Sequence, residues 1–140
     1  MFEVEKTIRF HHCDPAGIVF YPQYLVLCHE VIEDWIERGI AIGHANLLKV
    51  RGIGTPTVRL QTEYLARSSF GDRLRFRLGV RKLGNSSMHL SICADLKGEQ
   101  RMHTEQVVVL VDLSSFKSVR VPDDMRAAMQ PFLLEPGHQW

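Results

Sequence analysis

Asp14-Pro15-Ala16-Gly17-Ile18-Val19-Phe20-Tyr21-Pro22-Gln23-Tyr24-Leu25-Val26-Leu27-Cys28-His29-Glu30-Val31-Ile32-Glu33-Asp34-Trp35-Ile36-Glu37-Arg38-Gly39 is the stretch on which the fold turns. Its first four residues read as a turn. A residue before proline is pushed towards extended geometry, and Gly17 accepts backbone angles closed to other residues. Pro22 suits the first position of a helix, because its missing N–H is one the helix start leaves unpaired anyway. From there Leu25, Cys28, Ile32, Trp35, Ile36 and Gly39 recur at spacings of three and four, the apolar stripe of one long amphipathic helix. Gln23, Glu30, Glu33, Asp34 and Glu37 cover the other side, and Gly39 after Arg38 reads as its C-cap.

Such a helix needs a surface to bury its stripe against, and the flanking sequence supplies strands. Before the turn, Phe2, Val4, Ile8 and Phe10 alternate on one face of a strand, with only Lys6 breaking the pattern. Residues 40–56 look irregular, and 57–66 form a strand. Leu74, Phe76, Leu78 and Val80 then alternate with Arg73, Arg75, Arg77 and Arg81. After a turn at Gly84-Asn85, Met88, Leu90, Ile92, Ala94 and Leu96 alternate with His89, Ser91 and Asp95. Lys97-Gly98-Glu99 is the next turn. Val107-Val108-Val109-Leu110-Val111 is apolar on both faces, as expected of a central strand. Residues 122–130 suggest a short terminal helix. One helix against four or five antiparallel strands is an α+β layer arrangement. No repeat or linker interrupts it, so residues 1–140 read as a single domain.

Composition narrows the function. The chain has 140 residues, a formal net charge of +1, 45% hydrophobic and 24% charged residues. That is the make-up of an ordinary globular domain, without the basic excess that nucleic-acid binding requires. No apolar run is long enough to span a bilayer, and Met1-Phe2-Glu3-Val4-Glu5-Lys6 does not read as a signal peptide. Cys13, Cys28 and Cys93, scattered and odd in number, fit free thiols in a reducing cytoplasm.

The densest reactive cluster is His11-His12-Cys13-Asp14, between a strand end and a helix start. A carboxylate there stands near the unpaired N–H groups and positive dipole end of the helix. Asp14 then has what acyl transfer needs: a nucleophile or base, with oxyanion donors close by. The plainer reading is that Asp14 only caps a turn. A metal is not expected, because adjacent ligands diverge and no second cluster completes four positions. There is no Gly-x-Ser-x-Gly elbow and no phosphate-binding glycine loop. The row Arg73, Arg75, Arg77 and Arg81 reads either as a solvated sheet face or as a landing strip for ligand phosphates.

The run Asp14–Tyr24 resembles the signature of the 4-hydroxybenzoyl-CoA thioesterase family of hotdog proteins, the branch whose catalytic Asp precedes the central helix. Gly52-Ile53-Gly54-Thr55-Pro56 is a second match, and Phe70-Gly71-Asp72 and Leu83-Gly84-Asn85-Ser86-Ser87 are looser ones. The resemblance implies a hotdog fold, one long central helix wrapped by an antiparallel sheet of about five strands. It implies hydrolysis of an acyl-CoA, with an aromatic, hydroxybenzoyl-type acid favoured by Phe20, Tyr21 and Trp35. Asp14 matches the catalytic carboxylate, and the oxyanion donor is the backbone N–H at Tyr21. Phe20, Thr55 and His29 fall to the acyl site. His29 stands where the 4-hydroxybenzoyl-specific enzymes hold a phenol-binding carboxylate, while Glu30 and Glu33 should face away from substrate. Gly84-Asn85 replaces basic residues, leaving Arg81 and Lys82 as the candidates for the CoA phosphates. No cofactor is implied, coenzyme A being part of the substrate. The partner is a second copy of the chain, as a dimer or a dimer of dimers (a homotetramer), with the site at the dimer interface. The alternatives are a short- or medium-chain aliphatic acyl-CoA thioesterase and a non-catalytic acyl-CoA binder.

Overall fold

In the computed structural model, which describes residues 1–140, the chain runs β1 (Phe2–Thr7), α1 (Tyr21–Asp34), β2 (Ile53–Gly54), β3 (Thr57–Tyr64), β4 (Arg73–Leu83), β5 (Ser87–Leu96), β6 (Glu99–Val109), β7 (Val111–Asp112) and α2 (Asp123–Met129). Five strands form one antiparallel sheet in the order β1-β4-β5-β6-β3, and β2 pairs with β7 in a separate short ribbon. Alternation sends Leu74, Phe76, Leu78 and Val80 of β4 and Met88, Leu90, Ile92 and Ala94 of β5 into one core. Leu27, Cys28, Val31, Ile32, Trp35 and Ile36 of the helical segment fill the same core, so the helix lies against one face of the sheet.

The helix differs from its sequence pattern in one respect. It is not a single long α-helix over 22–39. The α-helical part has 14 residues and gives way to a π turn at Trp35–Gly39, where the Ile40 N–H reaches back five residues to the Trp35 carbonyl (2.9 Å). Side chains pack closely at this turn. Trp35 is fully buried, edge-on to Phe132, and a Cβ on Gly39 would stand 2.4 Å from its Cδ1. Gly39 is therefore a contact residue, and the backbone with positive φ falls later, at Ala41 and Gly43.

Two strand assignments also change. β1 ends at Thr7, and a 3-10 turn at Phe10–His12 swings Phe10 outwards to 80% exposure while Ile8 stays buried. The valine run is not one strand: Val107–Val109 end β6, which lies inside the sheet, Val111 opens β7, and β5 holds the middle. β5 is buried on both faces because the C-terminal segment crosses behind it. Leu134 donates its N–H to the Val80 carbonyl (2.8 Å) and lies so close to Gly79 that a Cβ there would come within 2.5 Å of it. Trp140 reaches Ser91 Oγ with its indole N–H (2.8 Å) and lies under the Arg77 guanidinium, 5.1 Å from the ring centre.

The arginine row is paired with acids of the same sheet. Arg75 and Arg77 both contact the buried Asp95 (3.2 Å each), Arg73 pairs with Glu5, and Arg81 pairs with Glu105 (3.1 Å).

Candidate active site at the start of the helix

Residues 12–20 form a small hairpin that carries Asp14 to the helix. The Phe20 N–H bonds the His12 carbonyl (2.9 Å), Cys13 bridges Val19, and the Asp14 N–H bonds the Ile18 carbonyl (3.0 Å). Pro15 and Ala16 form its tip, which closes when the Gly17 N–H reaches the Asp14 carbonyl (2.9 Å) with Gly17 at φ +77°. Asp14 Oδ1 accepts the Ala16 N–H at 2.9 Å, while Oδ2 accepts no hydrogen bond and the residue is half-buried. The turn reading of Asp14 is what this geometry displays, with one oxygen closing the turn and the other free.

The helix start leaves the Tyr21 N–H free. The Phe20 N–H is held by His12, Pro22 has none, and the Gln23 N–H returns to the Phe20 carbonyl (2.8 Å). No side chain caps the end, so the Tyr21 N–H, at the first helical position, has no acceptor. The helix dipole adds its positive end at the same place.

Aromatic rings cluster at this end of the helix. Phe20 meets Tyr21 edge-on at 5.3 Å, and Tyr64, at the end of β3, packs on Tyr21 (6.0 Å) and Tyr24 (5.8 Å). Tyr24 is buried, donates its hydroxyl to Ser68 Oγ (2.7 Å), and has its pKa pushed up by that burial. Tyr64 points its hydroxyl at the Tyr21 carbonyl (3.4 Å). Sequence reasoning finds Phe20 and Tyr21 but misses Tyr24 and Tyr64. The available signals were the i,i+3 spacing of Tyr24 from Tyr21 and the position of Tyr64 at a strand end.

The remaining candidates are dispersed. His29 lies two turns down α1 and is exposed, with its Nε2 3.2 Å from Glu33 Oε1. Glu33 lies one helical turn from His29, and His44 Nε2 stands 3.9 Å from the same oxygen. Thr55 is half-buried between β2 and β3. Arg81 and Lys82 sit at a bulge of β4. The Arg81 guanidinium is taken up by Glu105 and the His138 carbonyl, across the sheet from α1, and Lys82 is exposed. His12 is buried and accepts the Arg9 N–H through Nδ1 (2.8 Å). Burial first, and then the neighbouring His11, lower its pKa, which keeps it neutral with the proton on Nε2. No group of three or more His, Cys, Asp or Glu side chains is arranged to hold a metal.

The sequence pattern of the Thioesterase-like superfamily matches residues 8–129, which includes the hairpin, the helix and the whole sheet beyond β1. The chain belongs to that superfamily. This thioesterase-like chain is 25% identical over 126 residues to a 1,4-dihydroxy-2-naphthoyl-CoA hydrolase of Thermosynechococcus vestitus, covering 89% of this chain and 86% of the relative. Its fold matches that of a 1,4-dihydroxy-2-naphthoyl-CoA thioesterase from Synechocystis (TM-score 0.83, 22% identity, 91% of this chain and 94% of the other). It also matches a gentisyl-coenzyme A thioesterase (TM-score 0.81, 23% identity, 91% and 98%). The resemblance read from Asp14–Tyr24 is thus established for the superfamily, and the relatives named here act on acids other than 4-hydroxybenzoate. No helix of the thioesterase-like domain is long and apolar enough to cross a membrane.

Proposed function

We propose that this chain is an acyl-CoA thioesterase that hydrolyses an aromatic acyl-CoA to the free acid and coenzyme A. One observation carries the reading. A single nine-residue hairpin presents a carboxylate oxygen without a partner, Asp14 Oδ2, and leads directly into a backbone donor without an acceptor, the Tyr21 N–H. These are the two groups that acyl transfer requires.

In this mechanism the thioester carbonyl oxygen accepts the Tyr21 N–H, and the charge that develops on it is stabilised by the helix dipole. Asp14 Oδ2 then acts in one of two ways. It adds to the carbonyl carbon, expelling coenzyme A as thiolate and leaving a mixed anhydride that water hydrolyses. Alternatively it takes a proton from a water that makes the attack, with the same two products. Neither route needs a resident cofactor. Phe20, Tyr21 and Tyr64 offer a planar acid their faces and edges. His29 and Thr55 are assigned to the acyl side. Support for an aromatic acid comes from the relatives, whose printed substrates are a dihydroxynaphthoyl and a gentisyl thioester.

The active form in this reading is a dimer or a dimer of dimers. β3 is an edge strand exposed along almost its whole length, with Val58, Leu60 and Tyr64 bare. Such an edge calls for a covering partner, and a second copy would close the aromatic site that Tyr64 begins. The deciding assay is release of free thiol from benzoyl, hydroxybenzoyl, dihydroxynaphthoyl and aliphatic CoA thioesters. A higher kcat/KM for the aromatic set supports the proposal. Preference for an aliphatic chain selects the alternative substrate class, and tight binding without turnover makes the chain a binder.

A further inference from the structure

The loop between β3 and β4 carries a side-chain network that the chemistry above does not use. Ser68 is fully buried, and its hydroxyl accepts hydrogen bonds from two different elements. Tyr24, on the first turn of α1, donates its hydroxyl at 2.7 Å, and Arg101, on β6, donates from Nη1 at 3.4 Å. The same Nη1 reaches the Arg67 carbonyl (2.7 Å) and Asp72 Oδ2 (3.2 Å). Asp72 Oδ2 also accepts the Ser69 N–H (2.9 Å). One guanidinium, on a side chain only 12% exposed, thus draws both ends of residues 67–72 onto the sheet. Charge-assisted bonds shielded from water hold their partners more firmly than a solvated ion pair does.

That loop is where the Asp14 hairpin is fastened. The Val19 N–H bonds the Ser68 carbonyl (2.9 Å), the Phe70 N–H bonds the Gly17 carbonyl (3.0 Å), and Ser69 bridges Ile18. Gly17, Ile18 and Val19 are the returning half of the hairpin, opposite Cys13 and Asp14. Tyr24 stands three residues beyond Tyr21, in the same helical turn. Asp14 Oδ2 and the Tyr21 N–H are therefore tied to one buried hub, although neither Ser68, Asp72 nor Arg101 bonds Asp14 itself.

We propose that Arg101 is a positioning residue for thioester hydrolysis. Through Asp72 and Ser68 it holds the Asp14 hairpin against the first turn of α1, and so sets how far Asp14 Oδ2 stands from a carbonyl bound at the Tyr21 N–H. This rests on the thioesterase reading above and adds to it a residue that acts from β6 without contact to Asp14. A reacting pair displaced by about 1 Å loses on the order of 10²-fold in rate. A loss of alignment after the substrate is bound belongs in kcat rather than in KM.

The test is a kinetic cycle on the full-length protein. Arg101→Gln is expected to lower kcat for an aromatic acyl-CoA by roughly 10- to 100-fold with KM little changed. In an Asp14→Asn background no carboxylate is left to position, so the same substitution should cost far less. Arg101→Lys keeps the charge and a donor for Asp72 but not the planar fork, and should recover part of the loss. Tyr24→Phe removes only the hydroxyl given to Ser68 and should lower kcat in the same direction by less. Amide exchange read by mass spectrometry does not depend on turnover: in Arg101→Gln the segments 12–20 and 66–72 should exchange faster, with β5 unchanged. An equal loss with and without the Asp14 carboxylate would mean that the substitution only lowers the amount of folded protein, and it overturns the proposal. So does an unchanged kcat in Arg101→Gln, or a loss confined to KM. If Arg101→Gln does not fold, Arg101→Lys and Tyr24→Phe carry the same cycle with the same outcomes. A wild type that hydrolyses no thioester refutes the thioesterase reading, and exchange alone then decides whether Arg101 fixes the hairpin. Faster exchange confined to those two segments upholds it, and unchanged protection overturns it.

Discussion

Asp14 divides its two oxygens between structure and chemistry. Oδ1 holds the Ala16 N–H and Oδ2 is free. Asp14→Asn keeps an amide oxygen for the turn and removes the anionic charge. Turnover is therefore expected to fall by about 10²-fold or more while the melting curve stays in place, measured by thiol release and circular dichroism. Hydrolysis within a few-fold of wild type would rule Asp14 out. His29 tests the acyl side. His29→Ala and His29→Asp should change the ratios of kcat/KM among 4-hydroxybenzoyl-, 3-hydroxybenzoyl-, benzoyl- and aliphatic CoA, because a matched polar contact acts selectively. Equal scaling of all four would leave His29 a surface partner of Glu33. His12 brings a pH dependence. Its folded pKa lies below its unfolded one, so the unfolded chain binds the extra proton. Its contribution to stability is complete above the unfolded value of about 6.5 and declines as pH falls from there towards the lowered folded value. His12→Gln should flatten that part of a melting-temperature profile between pH 7 and 5.

At the scale of elements, the π turn and the bare edge strand make separate claims. Gly39→Ala would place a Cβ 2.4 Å from Trp35 Cδ1, so the indole or the turn must move. Overpacking of this kind costs about 1–3 kcal/mol, to be read as a lower urea midpoint with unchanged slope. Sequence periodicity had marked Gly39 as a helix end, which is true of the α-helix only to within a turn. Spacing along one segment reports which side chains share a face, but not that Trp35 needs the space above Gly39. For β3, Leu60→Lys on the exposed edge should shift the particle seen by light scattering towards the 16.1 kDa monomer and reduce activity with it. A wild type that is already monomeric at micromolar concentration would refute an interfacial site.

Over the whole molecule, the C-terminal segment acts as a second cover for the sheet. Trp140→Ala removes a ring packed beneath Arg77 and the hydrogen bond to Ser91, with an expected loss of about 1–2 kcal/mol in chemical denaturation. A midpoint equal to wild type would show that the tail adds nothing to the domain. The antiparallel strands, the amphipathic helix between the first strand and the rest, and Asp14 in the turn that precedes that helix are legible in the sequence alone. Each of these depends on local order: a period of two, a period of three to four, and a proline–glycine turn. The tertiary structure alone decided that Phe10 turns outwards, that Tyr64 joins Tyr21 and Tyr24, that the arginine row is neutralised by Asp95, Glu5 and Glu105, and that Leu134 and Trp140 cover the back of β4 and β5. Those outcomes join residues dozens of positions apart. Periodicity encodes which way a side chain points from its own strand or helix, and carries no information about what comes to meet it.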